Sequence, residues 1–291
     1  DSGADLISYG MGERSIVEVA DALNSGLDIK DITYIKGSAY LTQTPENVYN
    51  GKIIESFEEV KTDKKAYSRA FMAQYNEQNH FTGKTLIQKH GKNYVAVNPP
   101  SDPLSQSEMD AVYALPYTRK PHPMYDSLGG IPAIKEIEFS ITANRGCAGA
   151  CSFCAITFHQ GRVLQSRSEK SIIEEAKLLT SLKGFKGYIH DVGGPTANFY
   201  MQGCKKQKET GACKDRQCMY PEICPSFKPD HSKYLSLLKK LREIPKVKKV
   251  FIRSGLRFDC ILADKKHGQE FLKTLCTYHI SGQLKVAPEH I

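Results

Sequence analysis

The stretch Asn144-Arg-Gly-Cys-Ala-Gly-Ala-Cys-Ser-Phe-Cys-Ala155 decides how this chain is read. It sets Cys147, Cys151 and Cys154 at C-x3-C-x2-C spacing, directly after an apolar run over 136–142 that reads as a strand. Thiolates hold the irons of a 4Fe–4S cluster one apiece, and a cluster that only carries electrons takes four. Three ligands leave one iron open to a substrate or cofactor. The motif therefore points to chemistry at the cluster.

Working outward from the motif, strands and helices alternate to the end of the chain. Helices are predicted over 168–182, 231–243 and 267–279, and strands over 187–192, 249–253 and 283–287. Ser168 reads as an N-cap with Glu169 in the first turn. Repeated strand–helix units form a parallel α/β sheet or barrel. Four units fit before residue 291, so a barrel here is expected to be incomplete at its C-terminal side. Ligands in such folds gather at the C-terminal ends of strands. Those ends carry the cysteine loop, Asp191-Val-Gly-Gly-Pro-Thr196, Arg253-Ser-Gly-Leu-Arg-Phe-Asp259 and Lys285-Val-Ala-Pro-Glu-His290.

Ahead of the motif the pattern is also α/β. A strand at 5–8 meets the turn Gly10-Met-Gly-Glu13. A helix follows with Ile16, Val17, Val19, Ala20 and Leu23 at helical spacing, and 31–41 reads as strand again. We read 1–45 as the trailing part of an N-terminal Rossmann-like α/β domain. Residues 46–132 read as a connector with a helix over 57–79 and a hairpin over 84–97. Residues 133–291 read as the barrel core, with a cysteine-rich insertion at 198–228. The chain opens at Asp1 within a strand–helix unit and is expected to be a piece of a longer protein.

Nine cysteines are present, seven of them within 147–224, and clustering of that kind points to metal more than to disulfides. Cys204, Cys213, Cys218 and Cys224 follow C-x8-C-x4-C-x5-C. Four thiolates can close a zinc site or hold an auxiliary 4Fe–4S cluster. The spacing lacks paired C-x2-C knuckles, so thiols or disulfides remain the alternative. Cys260 and Cys276 read as small buried hydrophobes. The formal charge of +8 is spread along the chain and is a weak pointer to RNA or a nucleotide as partner. No apolar run approaches the roughly 18 residues of a membrane span. A cytoplasmic protein without a membrane partner is expected.

The three-cysteine loop resembles the signature of the radical S-adenosylmethionine (SAM) superfamily. The likeness narrows further. Cys154-Ala-Ile-Thr-Phe-His-Gln-Gly-Arg-Val-Leu-Gln-Ser-Arg-Ser168, Leu86-Ile-Gln-Lys-His90, Asn98-Pro-Pro100, Gly193-Gly-Pro-Thr-Ala-Asn198, Ser254-Gly-Leu-Arg257 and Ala287-Pro-Glu-His290 are similar to the YgiQ-type (UPF0313) radical SAM proteins. The resemblance implies a cluster on Cys147, Cys151 and Cys154, bound SAM, and a radical SAM partial (β/α) barrel. The cluster would cleave SAM reductively, with electrons from a flavodoxin- or ferredoxin-type donor, to a 5′-deoxyadenosyl radical that takes hydrogen from an unknown substrate. It further implies SAM contacts at Gly193 and Gly194, at Ser254 and Arg257, and at Phe153 beside the adenine. Pro195 stands where the family places an acid. His159 and Arg162 would line the cavity or position the loop. No D-x-H-x-x-G cobalamin-ligand motif occurs in these residues, and cobalamin use stays open, since a missing N-terminal part could hold one. The rival reading is a non-catalytic Fe–S or zinc protein serving electron transfer or RNA binding.

Overall fold

The computed structural model describes residues 2–284 and 286, and it is mixed α/β. In chain order the first stretch runs β1 (Leu6–Ser8), α1 (Glu13–Asn24), β2 (Ser38–Thr42), β3 (Gly51–Ile53), α2 (Phe57–Thr62), α3 (Lys64–Asn76), β4 (Thr85–His90) and β5 (Asn93–Val97). Then come α4 (Gln106–Tyr113), α5 (Ile134–Ile137), β6 (Ser140–Thr142), β7 (Asn144–Arg145), α6 (Ala155–His159), β8 (Gln165–Ser166), α7 (Glu169–Ser181), β9 (Tyr188–Ile189) and β10 (Asp191–Gly193). The last stretch holds α8 (Lys205–Thr210), α9 (Ser232–Arg242), β11 (Lys249–Val250), α10 (Phe258–Ala263) and α11 (Gly268–Thr274).

Two compact units result. One comprises Asp1–Pro103, Gly149–Val163 and Lys205–Gln217, and the other Leu104–Ala148, Leu164–Cys204 and Cys218–Ile291.

The first unit is built on a five-stranded sheet of order β1-β2-β5-β4-β3. This corrects two expectations. β1 runs antiparallel to β2, with Leu6 opposite Tyr40, whereas a Rossmann-like unit would place them parallel. The predicted hairpin forms as β4 and β5, but β5 also pairs with β2, Ala39 facing Val97, so no boundary falls at residue 45. The physical reason is that an edge strand leaves its N–H and C=O groups open, and β5 satisfies those of β2. α1 departs from its predicted buried face too. Val19 and Ala22 pack with Leu6, Ile29, Ile32 and Ile35, while Ile16, Val17 and Leu23 stay exposed. A small core of that size covers only one side of the helix.

In the second unit β6, the 188–193 segment and β11 lie side by side and parallel. The middle strand breaks at His190, whose N–H bonds Phe139 O at 3.0 Å. β9 then pairs with β11 and β10 with β6. The helices predicted at 168–182 and 231–243 form as α7 and α9. α7 buries Ile172, Glu175, Ala176 and Leu179 and α9 buries Tyr234, Leu237, Leu238 and Leu241, each at the i, i+3, i+4, i+7 spacing of one helical face. These faces close one core with Ile141, Ile189, Val192 and Val250 from the strands. Each fully buried Leu, Ile or Val of this core contributes about 1.5–3 kcal/mol. The helix expected over 267–279 ends as α11 and continues as one π-helical turn over 275–279. The strand expected over 136–142 begins as α5 and is extended only from Ser140. Of the fourth predicted strand, Val286 bridges Leu256 in parallel, while Lys285 and Ala287-Pro-Glu-His290 lie outside the described residues.

A buried charged cluster fastens α7 to the sheet. Arg167 is 1% exposed and pairs with Glu175, which also takes a 2.7 Å contact from Arg119. Replacing Glu175 by Ala strands two guanidinium groups and should cost about 3–5 kcal/mol. A urea unfolding midpoint reads this directly, and a loss below about 1 kcal/mol, the level of an exposed pair, would refute the assignment.

Candidate functional site

The cysteine loop is shaped by small residues. Ala148 and Ala150 are both 1% exposed, so the three residues between the first two cysteines leave no room for larger side chains. Gly146 (φ 77°) and Ala150 (φ 53°) take left-handed conformations that turn the chain twice within five residues. Cys147 belongs to the second unit, and Cys151 and Cys154 to the first.

In the first unit the loop is fixed by backbone and aromatic contacts. Cys154 N–H and Thr157 Oγ1 donate to Cys151 O, each at 3.1 Å. Tyr75 on α3 donates its hydroxyl to Ala150 O at 2.8 Å, and Phe158 packs edge-on against Phe71 and Tyr75. Arg162, 6% exposed, donates to Cys213 O and Arg216 O, both at 2.9 Å, and lies over the Tyr75 ring. Arg162 therefore positions the insertion. His159 and Phe153 are exposed, Phe153 at 72%.

In the second unit three strand ends meet. Ala143 N–H donates to Gly193 O at 2.6 Å and Ala197 N–H to Gly255 O at 3.0 Å. Asn144 Nδ2 donates to Thr196 O at 3.2 Å. Asp191 accepts from the backbone N–H of Arg253 (2.8 Å) and Ser254 (3.2 Å) and from the Ser254 hydroxyl. Cys147 is half-buried here, its Sγ 3.6 Å from Thr196 Oγ1. Cys147, the Gly193–Thr196 turn and the Ser254–Arg257 turn are thus brought together within this unit.

In the structure these residues contact other protein groups. On their Cβ side Gly193 and Gly194 are packed by protein. A Cβ on Gly193 would sit 2.6 Å from Ser254 Oγ, and one on Gly194 only 2.2 Å from Asn144 O. Ser254 is engaged by Asp191, and Arg257 by a two-pronged pair with Asp259.

A buried relay was missed by the sequence reading. Asn198 brackets Arg257, accepting from its N–H and donating to its C=O, both at 2.9 Å. Asn198 Nδ2 also lies 3.2 Å from His231 Nε2, and His231 Nδ1 lies 2.8 Å from Asp264 Oδ2. Nδ1 therefore carries the proton and Nε2 accepts. Burial outweighs the adjacent carboxylate and holds the His231 pKa below the ordinary imidazole value. Burial raises the Asp264 carboxyl, but N–H groups of His267 and His231 and the imidazole together bring it down to about 2. Only the Asp230-His231 dipeptide ahead of an apolar helix marked these residues in the sequence.

Three thiols within eight residues of one turning loop match a cluster in kind and number. Asn144 Oδ1 is buried without a hydrogen-bond partner among the described residues, an acceptor that suits a bound ammonium. No preformed metal-holding group of three His, Cys, Asp or Glu side chains occurs among the described residues, at this loop or in the insertion. In the second unit Cys218 and Cys224 pack on the same small core as Cys147, with Cys260, Met219, Phe199 and Phe227. Cys260 is fully buried, as predicted, whereas Cys276 is exposed and corrects its reading as a buried hydrophobe.

Comparison with known proteins follows this geometry. Residues 1–140 match the family model Radical SAM N-terminal. Over 291 residues the chain is 59% identical to a UPF0313 protein of Clostridium botulinum (strain 657 / Type Ba4), covering all of this chain and 45% of the relative. A UPF0313 protein of Clostridium perfringens (strain ATCC 13124) is 55% identical over 292 residues, covering 44% of its length. Along its whole length the chain is similar to the UPF0313 proteins. It spans less than half the length of those relatives. The matched model runs through all five strands of the first sheet, so 1–45 and 46–132 fall within one family unit. No helix among the described residues is long and apolar enough to cross a membrane.

Two outcomes follow from these contacts. Gly194→Ala drives a methyl into the Asn144 carbonyl, and overpacking of this kind costs about 1–3 kcal/mol. A lowered urea midpoint checks it, and an unchanged midpoint refutes the close approach. Burial also lowers the His279 pKa to about 4. With His231 shifted the same way, the unfolded chain binds more protons below the ordinary value of 6.5. Stability is therefore full above pH 6.5 and falls as pH drops toward 4, by about 3 kcal/mol for His279 alone. A flat urea midpoint across that window would contradict it.

Proposed function

We propose that this chain carries the cofactor half of a radical SAM enzyme, with the second unit as the opening part of a (β/α) barrel. The observation that supports it is the meeting of Cys147, the Gly193–Thr196 turn and the Ser254–Arg257 turn at neighbouring strand ends in one unit. Cys147, Cys151 and Cys154 would hold the 4Fe–4S cluster. When bound, the cluster supplies an electron that cleaves SAM and so starts hydrogen abstraction from a substrate.

The chain's own residues have simpler tasks. Asn144 offers its buried Oδ1 to the SAM amino group. Arg257 pairs with Asp259 through Nε and Nη2 and is bracketed by Asn198, which holds the Ser254–Arg257 turn in place. The apolar core of Phe199, Phe227 and Met219 beneath Cys147 keeps water from that side of the loop. An external one-electron donor is required, and RNA or a nucleotide is the substrate class to which the positive charge points.

The test is anaerobic loading of the full-length protein with iron and sulfide, followed by dithionite and SAM. 5′-Deoxyadenosine should form, and its absence with a cluster present would overturn the reading. Cys147→Ala, Cys151→Ala and Cys154→Ala should each remove the cluster's visible absorbance and abolish 5′-deoxyadenosine. Iron, sulfide and zinc analysis of Cys218→Ala and Cys224→Ala asks separately whether the insertion holds a second centre with Cys204 and Cys213. Unchanged metal content would eliminate that centre.

A further inference from the structure

We propose that Thr196 tunes the reduction potential of the cluster by donating its hydroxyl hydrogen to Cys147 Sγ. This inference rests on the cluster assignment above. Thr196 Oγ1 lies 3.6 Å from Cys147 Sγ, an ordinary separation for a hydroxyl–sulfur contact. In the thiol form either atom can donate. Once Cys147 is a thiolate bound to iron it has no proton, so the direction is settled: the hydroxyl donates and sulfur accepts.

The hydroxyl is held in place by everything around it. Thr196 is 7% exposed. Its carbonyl accepts from Asn144 Nδ2 and from Phe199 N–H, both at 3.2 Å. The next residue, Ala197, is tied to Gly255 O, and Pro195 on the other side restricts the backbone before it. Threonine is branched at Cβ, so few side-chain rotamers are open to it. Cys147 itself packs against the apolar core of Phe199, Met219, Phe227 and Cys260. In such surroundings a hydrogen bond is stronger than in water.

The electrostatic consequence has a definite sign. One-electron reduction adds negative charge to the cluster and its sulfurs. A donor fixed on Cys147 Sγ stabilises the reduced state more than the oxidised one and raises the potential.

The experiment is an EPR-monitored redox titration of the anaerobically loaded full-length protein. Thr196→Val keeps the branched shape and removes the donor, and its midpoint should move to a more negative potential at unchanged iron and sulfide per chain. Thr196→Ser keeps the donor and should return the midpoint toward that of the unsubstituted protein. An unchanged midpoint in Thr196→Val, or a Thr196→Ser value equal to it, overturns the inference and leaves the cluster assignment standing. If Thr196→Val holds no cluster, Thr196→Ser against Thr196→Ala, both smaller than threonine, gives the same comparison. Failure of the unsubstituted protein to take up a cluster overturns the assignment and this inference together.

Discussion

A guanidinium taken out of water must find acceptors, and Arg167 finds them at the joint on which the site depends. It sits immediately before α7 and is almost wholly buried. Its Nη1 reaches Thr142 O at the end of β6, its Nη2 reaches Ser171 O and Oγ, and Glu175 balances the charge. Its backbone N–H bonds Ala143 O at 3.0 Å, and its plane stacks over Tyr113 on α4 at 4.2 Å. The strand end that launches the cysteine loop is thereby pinned to the helix that returns from it. A buried charge with one partner removed is costly, so the joint has one well-satisfied arrangement.

The rest of the rim follows the same rule: polar groups near the strand ends are spent on one another. Asp191 holds the turn after β11, Asn144 holds the turn after β10, and Asn198 brackets Arg257 with His231 and Asp264 behind it. Such a network is rigid because each missing bond would leave a buried group unsatisfied. The glycines fit this picture. Gly193 and Gly194 let Ser254 and Asn144 approach closely. Preorganisation of this kind is what a site needs if it is to hold a reactive group still.

Parts of this were plain in the sequence. α7 and α9 follow from spacing alone, because their apolar positions repeat at the helical period and Ser168 caps the first of them. The 85–97 hairpin follows from two β-rich runs around Gly91-Lys92. Other parts were illegible for identifiable reasons. Apolar periodicity in α1 suggested a buried face, but the neighbouring Ile29–Ile35 segment covers only Val19 and Ala22. The 188–193 strand reads as one run, yet it changes neighbours at His190. Arg162 reads from sequence as lining a cavity or positioning a loop, and the partners that decide its role, the Cys213 and Arg216 carbonyls, lie some fifty residues away.

The sequence by itself determined the chemistry on offer: three thiols at C-x3-C-x2-C spacing, small residues between them, and glycine-rich or polar groups at strand ends. Those are properties of residue type and local spacing, which a linear chain displays in full. Tertiary structure decided what each group is free to do. The packing of Gly194 on the Asn144 carbonyl, the hold of Asp191 on Ser254 and the approach of Thr196 to Cys147 all depend on contacts between strand ends about fifty to sixty residues apart. Folding brings those ends together because the apolar faces of α7 and α9 must be buried against the same sheet, and it is there that Thr196 comes to lie beside the first cysteine.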